Sequence, residues 1–568
     1  MIKIKIDNPD KLASNVLIKK SAFVSFDYDG RIVDFIKKMG TRIYNADNRT
    51  WEMPLNNIVS LCNKFEDIEI IIEGVYEDLH KIELENDIPK NIAFKTKPFP
   101  HQLDGIRFGL NHDRFLLCDD QGLGKTLQII DLVECLGEKV KKALIICGVN
   151  SLKYNWREEV SKHSNEKGYV LGTRYRKNGK EYLGSTKDKM DDLSNLPDHK
   201  YIITNIETLR LGAKKISKYK YDFPIANKIK ELCNDGTIGL IAFDECHRAK
   251  DSTSLQGKAM LEISAPHMIA MSGTPLMNSP IDLYFPIKWL GYENHSLFEF
   301  KRHYCRLGGY NDAEIMGYKN LDELRSLVDQ IMLRRLKTEV LDLPDKIEKL
   351  EYVEMSSKQS KLYLEIQQNT KTLIHQIRMS NNPLSMLLRL RQVTGWCGII
   401  DESIQESAKM QRMIELVEDI VSNNQKAIIF SNWTSITEVA VKLLSKYNPA
   451  YITGDVKQEE RMNEVDRFQN DVRCKVIIGT IGAMGTGLTL TSAQNVIFLD
   501  EPWTKALKDQ AEDRAHRIGT KGTVSIITLM CKDTIDDRIH DLIEKKGKMS
   551  DAIIDGKLSL EDINFLLS

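Results

Sequence analysis

Residues 115–126 read Phe115-Leu116-Leu117-Cys118-Asp119-Asp120-Gln121-Gly122-Leu123-Gly124-Lys125-Thr126, and a helix-like run from Leu127 to Leu136 follows. An apolar strand, a glycine-bearing turn and a helix, in that order, form the context of a phosphate-binding loop. Gly122 and Gly124 let backbone N–H groups close around phosphate oxygens, while the helix offers its positive end. Lys125 is placed to reach the β and γ phosphates, and Thr126 to ligate magnesium. Only the first position departs from the general pattern, being Asp119 rather than Gly. A plain glycine turn is the competing reading, and the flanking strand and helix argue against it.

Outward from this loop, short apolar runs alternate with longer amphipathic stretches, the pattern of parallel sheets crossed by helices. It occurs in two blocks. The first predicts strands at 114–118, 143–147, 201–204, 239–243 and 267–271; the second at 427–430, 475–478, 495–499 and 524–529. Between them, 282–425 is rich in Leu, Lys, Glu and Gln and reads mainly as helix.

Open α/β sheets carry their chemistry in the loops at the carboxyl ends of the strands. Leu240-Ile241-Ala242-Phe243 runs straight into Asp244-Glu245-Cys246-His247. An apolar strand delivering two adjacent carboxylates suits a Walker B site, in which Asp244 holds magnesium and Glu245 orients and deprotonates the attacking water. Standing alone, Asp-Glu would read as a solvated turn; behind a phosphate loop it gains a role. Met268-Ile269-Ala270-Met271 leads into Ser272-Gly273-Thr274-Pro275-Leu276-Met277-Asn278, whose hydroxyls could relay the state of the nucleotide. In the second block, Asp500-Glu501-Pro502-Trp503 precedes a helix-like run carrying Gln510, Arg514, His516 and Arg517. Arg514 and Arg517 are expected to share one helical face and to act as an arginine finger on the γ-phosphate. The bland alternative is a surface face paired with Glu512 and Asp513.

Composition sets outer limits. The 568 residues suffice for about three to five domains. Lys plus Arg (80) nearly balance Asp plus Glu (81), so a polyanion would be met by a local basic surface and not by the field of the whole chain. The ten cysteines form no Cys-x-x-Cys pair, which suits buried thiols in a reducing compartment. Neither a signal-peptide core nor an apolar run of membrane-spanning length is evident. The expectation is a soluble cytoplasmic protein of bacterial or viral source, nucleoid-associated if bacterial and in the host cytoplasm if viral.

Taken together, these motifs resemble the superfamily-2 helicase-like ATPases of the SWI/SNF branch. The matching residues are Gln102 with its proline-led approach, Asp119 to Thr126, Ser151-Leu152-x-x-Asn155-Trp156, Ile203-Thr204-x-x-Glu207-Thr208-Leu209, Asp244 to His247 and Ser272 to Asn278. Later matches are Leu333-Arg334-Arg335-Leu336-Lys337, Phe430-Ser431, Ile452-Thr453-Gly454, Gly485-x-Gly487-Leu488 and Gln510-x-x-x-Arg514-x-x-Arg517-x-Gly519. The resemblance spans about Lys97 to Arg538 and includes the Asp119 departure.

It implies the cofactors ATP and Mg2+. Gln102 would read the adenine edge, Lys125 and Thr126 the phosphates and metal, Asp244 and Glu245 the metal and water, and Arg514 with Arg517 the γ-phosphate from the opposite lobe. The Gly485–Leu488 turn, Gly487 included, would couple nucleotide to DNA. Ser151, Thr204, Ser431 and Thr480 fall where similar enzymes contact phosphates of the tracking strand, contacts that carry little sequence information. The implied partner is double-stranded or forked DNA, with a single-strand-binding or replication protein as a further candidate.

A second resemblance covers Ser25 to Leu55. Phe26-Asp27-Tyr28-Asp29, Ile32, Val33, Phe35, Ile36, Arg42-x-Tyr44, Asp47 and Arg49-x-Trp51-x-x-Pro54-Leu55 are similar to the HARP module of annealing helicases. That likeness implies recognition of DNA junctions and support for strand rewinding. Basic residues near Tyr44 and Trp51 could grip phosphates and stack on unpaired bases; a plain α+β appendage is the alternative.

The expected fold class is α/β: two RecA-like parallel-sheet lobes with helical insertions and a small α+β N-terminal domain. The expected divisions are 1–86, 87–340 and 341–568. The implied activity is that of a DNA-dependent ATPase that translocates on duplex DNA and remodels or reanneals branched DNA. The rivals are an RNA helicase, a nuclease-associated motor and a non-enzymatic DNA-binding scaffold, the last expected to lack Lys125 or Glu245, both of which are present.

Overall fold

The computed structural model describes residues 2–6, 21–38, 43–45, 48–54, 61, 70–73, 87–150, 152–217, 220–249, 251–273, 280–309, 314–341, 344–376, 383–485, 488–517, 520 and 522–546. The chain divides into two compact units, Met1–Asp120 with Gly124–Leu336, and Gln121–Leu123 with Lys337–Ser568.

The first unit holds a seven-stranded sheet in the order Met332–Leu333, Arg114–Leu117, His267–Met271, Ile238–Asp244, Lys142–Cys147, Tyr201–Asn205, Gly168–Val170. Every pairing in it is parallel. Central strands of such a sheet are covered on both faces, which is why their sequences are almost continuously apolar. Alternate residues feed opposite layers: Leu116, Leu144, Ile146 and Ile241 pack on one side with Phe223, Ile229 and Phe285. Phe115, Leu117, Ile145 and Leu240 pack on the other with Ile130, Val133 and Trp156.

The second unit repeats the plan with a six-stranded, wholly parallel sheet in the order Lys346–Val353, Val524–Cys531, Asn495–Phe498, Ala427–Ser431, Val476–Thr480, Ala450–Ile452. Its two cores divide in the same way, Ile428 and Phe430 against Ala427 and Ile429. The α/β class with two parallel sheets is the class expected.

The nine strands expected from the two apolar blocks all form, with ends shifted by a residue or two. The region between the blocks is less uniformly helical than its composition suggests. It contains the antiparallel pair Cys305–Gly308 and Glu314–Tyr318, and the edge strand Lys346–Val353. The edge strand escapes a periodicity reading because Ile347 and Tyr352 are more than half exposed and charged residues occupy its remaining open positions.

At the N-terminus a separate five-stranded sheet runs Ile43–Asn45, Thr50–Pro54, Ser21–Phe26, Ile2–Ile6, Ile70–Glu73, with the helix Gly30–Lys38 between its second and third strands in sequence. Tyr44 and Trp51 are cross-strand partners with ring centroids 4.7 Å apart, and Tyr44 is half exposed. Arg31 is paired with Asp29 at 2.8 Å. The side chains of Phe35, Lys37, Lys38, Arg42, Asp47, Pro54 and Leu55 lie outside the described residues.

Candidate nucleotide site

The strand order brings the expected motifs to one edge. The His267–Met271 strand lies between Arg114–Leu117 and Ile238–Asp244, so Ser272 emerges between the phosphate loop and the Walker B carboxylates. Gly122 and Gly124 take φ of 86° and 77°, left-handed values that a Cβ would penalise. Gly124 caps the helix Lys125–Leu136. A Cβ on it would meet the Gln102 side-chain amide at 2.3 Å, so Gln102 lies directly against the loop. The Gln102 Oε1 accepts from the Phe99 amide at 2.9 Å, which orients the side chain from the start of its own helix, Pro100–Asn111.

Lys125 Nζ donates to the Asp119 and Asp120 carbonyls at 2.7 and 3.3 Å. Thr126 follows in the first turn of the helix. Asp244 ends its strand, buried at 9 % exposure. Its Oδ2 accepts from the Trp156 indole N–H at 2.9 Å and its Oδ1 from the Glu245 amide at 2.9 Å. Burial first, and the Glu245 charge second, push the Asp244 carboxyl up to about 6, against the indole hydrogen bond and Lys125, which pull it down.

Glu245 takes φ 54°, an uncommon conformation for a residue with a side chain and one found at functional turns. Its carboxylate lies 3.3 Å from His247 Nδ1, and the same nitrogen lies 3.1 Å from Ser272 Oγ. The Ser272 hydroxyl and the Glu245 carboxylate thus both lie beside the same nitrogen of the His247 ring. Thr274 to Asn278 lie outside the described residues.

A hard cation is held by oxygen ligands and keeps several waters and substrate phosphates in its shell. Asp244 and the Thr126 hydroxyl fit that donor set, and among the described residues no three acidic, His or Cys side chains converge into an all-protein metal cage. Cys118, at the strand end before the loop, is buried with its thiol pushed up to about 12 chiefly by burial, so it is an inert core residue.

In the second unit the arginine motif departs from expectation. The helix covers Lys505–Glu512 and stops there, so Arg514 and Arg517 sit in the turns beyond it and do not share a helical face. Arg514 is buried, Nε donating to the Gln510 carbonyl at 3.0 Å and Nη1 to that of Leu488 at 3.1 Å. Arg517 lies nearer the surface, with Nη1 donating to Thr489 Oγ1 at 3.0 Å. The two guanidiniums thus have different local attachments. Gly487 lies outside the described residues.

Of the hydroxyls expected along a phosphate track, Ser151 lies outside the described residues. Thr204, Ser431 and Thr480 stand at carboxyl ends of strands but are buried at 1, 0 and 9 % exposure. Ser431 donates its hydroxyl proton to Asp500 Oδ2, so a phosphate contact from this side chain requires that bond to open. Arg391, beside Trp396 in sequence, is a core residue; its guanidinium stacks 3.9 Å from the Trp503 ring centroid. Arg174 is bound to Asp188 and Asp192.

Sequence reasoning missed three elements of this site: the Trp156 bond to Asp244, the hydrogen bond between His247 and Ser272, and a buried pair between Asp119 and Arg335. Only the last left a signal, a carboxylate where the loop pattern takes glycine.

Comparison with known proteins agrees with this layout. The family model of the SNF2-related domain matches residues 101–398, and that of the helicase conserved C-terminal domain matches 408–519. The chain is 27 % identical over 488 residues to the DNA annealing helicase and endonuclease ZRANB3 of Bos taurus, covering 83 % of this chain and 41 % of the relative. It is 25 % identical over 564 residues to an uncharacterized ATP-dependent helicase of Mycoplasma pneumoniae, covering 94 % and 50 %. It is 26 % identical over 588 residues to the SWI/SNF-related matrix-associated actin-dependent regulator of chromatin subfamily A-like protein 1 of Xenopus tropicalis, covering 97 % and 56 %. The chain spans about half the length of these curated relatives.

Proposed function

The chain belongs to the SNF2-related domain family, and on that premise we propose that it is an ATP-hydrolysing motor that steps along double-stranded DNA. The observation that carries the reading is the convergence, at one sheet edge, of the Lys125 loop, the Asp244–Glu245 carboxylates and Ser272, with His247 beside both Glu245 and Ser272.

In this reading the backbone amides around Gly122 and Gly124 cradle the phosphates, and Lys125 leaves the loop carbonyls for the β and γ oxygens. Magnesium, when bound, would supply Lewis-acid neutralisation of phosphate charge, held by Asp244 and Thr126. Glu245 accepts the proton of the attacking water. Arg517, and Arg514 with it, offer positive charge to the γ-phosphate as the nucleotide is hydrolysed. Ser272, whose hydroxyl bonds to the His247 ring beside Glu245, is placed to sense the result.

The finer reading is remodelling or reannealing of branched DNA. It is supported by the HARP-like sequence of residues 25–55, by the exposed Tyr44 beside Trp51, and by the similarity to the DNA annealing helicase and endonuclease ZRANB3. A single-strand-binding or replication protein is the further partner proposed. The decisive experiment measures ATP turnover with single-stranded, duplex and forked DNA and with RNA, using the full chain and a chain lacking residues 1–86. Duplex or forked DNA should raise turnover most, and loss of the N-terminal module should remove the fork preference alone. Turnover indifferent to DNA, or raised only by RNA, refutes the motor assignment.

A further inference from the structure

One guanidinium ties four segments of the first unit together. Arg335 Nε donates to Asp119 Oδ1 at 2.9 Å and Nη2 to Asp119 Oδ2 at 2.5 Å, a side-on bidentate pair. Nη2 also donates to Gln128 Oε1 at 3.0 Å, and Nη1 to the His101 carbonyl. Gln128 Nε2 completes the cluster by donating to Asp119 Oδ2 at 2.9 Å. Asp119 is fully enclosed and the Arg335 side chain is 13 % exposed. Room for the cluster comes from Gly105, where a Cβ would stand 1.8 Å from Gln128 Oε1.

The segments so joined are the start of the phosphate loop, the helix after it, the helix that carries Gln102, and the chain leaving the unit. The last runs alongside the first. The Cys118 amide donates to the Leu333 carbonyl at 2.7 Å and the Asp120 amide to the Arg335 carbonyl at 3.0 Å. Lys125 rests on the carbonyls of Asp119 and Asp120, so displacement of Arg335 changes the seat of the phosphate-binding lysine.

Two residues later the chain enters the second unit and is pinned again. Lys337 Nζ pairs with Asp513 Oδ1 and donates to the His516 carbonyl at 3.1 Å. Those residues flank Arg514 and precede Arg517. A link of two residues has almost no slack, so movement of the arginine-bearing turn pulls on Arg335.

We propose that residues 333–337 form a mechanical coupling strap, in which Arg335 is a positioning residue that carries movement of the second unit into the phosphate loop. The strap rests on the motor reading above and adds the route by which DNA engagement reaches the nucleotide. Asp119 stands where the general loop pattern has glycine because the strap needs a carboxylate there.

The test separates nucleotide affinity from DNA-stimulated turnover. Insertion of two glycines between Leu336 and Lys337 leaves both ion pairs able to form but introduces slack. It should keep the affinity for a fluorescent adenine nucleotide within about threefold while lowering DNA-stimulated kcat about tenfold or more. Arg335→Lys, which keeps the charge but not the bidentate geometry, should lower DNA-stimulated kcat at least as far as the insertion does. DNA-stimulated kcat within about twofold of wild type in the insertion variant overturns the coupling, as does a loss of kcat matched by an equal loss of nucleotide affinity. A wild-type chain with no DNA-stimulated turnover would instead sink the motor reading.

Discussion

The indole N–H of Trp156, on the helix Leu152–His163, donates to Asp244 Oδ2 at 2.9 Å, and both groups are buried. Trp156→Phe keeps most of the packing and removes the donor, so a buried carboxylate is left one partner short, a cost of about 1 to 3 kcal/mol. The indole bond is one of the influences holding the Asp244 carboxyl down. Its removal raises the affinity of that carboxyl for protons, and the acid limb of the ATPase pH profile should move to higher pH. An unchanged acid limb with unchanged thermal stability would show that the bond does not matter.

Lys125→Ala and Glu245→Gln should each abolish most hydrolysis, by on the order of 10² to 10⁴ in kcat. Both should leave the fold and duplex DNA binding intact, as read by circular dichroism and fluorescence anisotropy. Full turnover in either variant overturns the assignment of the site.

Arg514 and Arg517 should separate in a stability assay. Arg514→Ala strands the buried carbonyls of Gln510 and Leu488, costing about 1 to 3 kcal/mol, and should lower Tm by a few degrees. Arg517→Ala loses a bond to Thr489 near the surface and should leave Tm almost unchanged while reducing kcat. Equal Tm losses would contradict the different burial of the two side chains.

Asp131 lies in the helix that follows the phosphate loop, and neither of its carboxylate oxygens has a hydrogen-bond donor among the described residues. Burial first, then Glu134, push its carboxyl up to about 7 from an ordinary 3.8. Between those values the folded chain binds a proton that the unfolded chain has released, so this group's contribution to stability falls as pH rises from 4 to 7. Asp131→Asn should remove that slope, so that its stability relative to the wild type is higher at pH 8 than at pH 5. Denaturant midpoints for the two proteins at pH 5 and pH 8 measure the difference, and parallel pH dependences would exclude it.

Much of the candidate nucleotide site was legible as local pattern. Phe115–Thr126 and Leu240–Glu245 each announce strand, loop and chemistry within about a dozen residues, because backbone geometry and side-chain role there depend on near neighbours. The arginine motif was legible in composition but not in shape. The helix ends at Glu512, whose carboxylate bonds to Lys346 at 2.8 Å, and no helical period reveals a partner 166 residues away.

By itself the sequence determined the α/β class, the two parallel sheets and the identity of the groups at their carboxyl ends, since hydrophobic period and glycine placement act over short range. Only the tertiary structure decided which of those groups touch. Trp156 meets Asp244, Ser272 meets His247, and Arg335 meets Asp119 across 216 residues, because strand order and burial bring distant chain together and leave each enclosed charge to find its counterpart there.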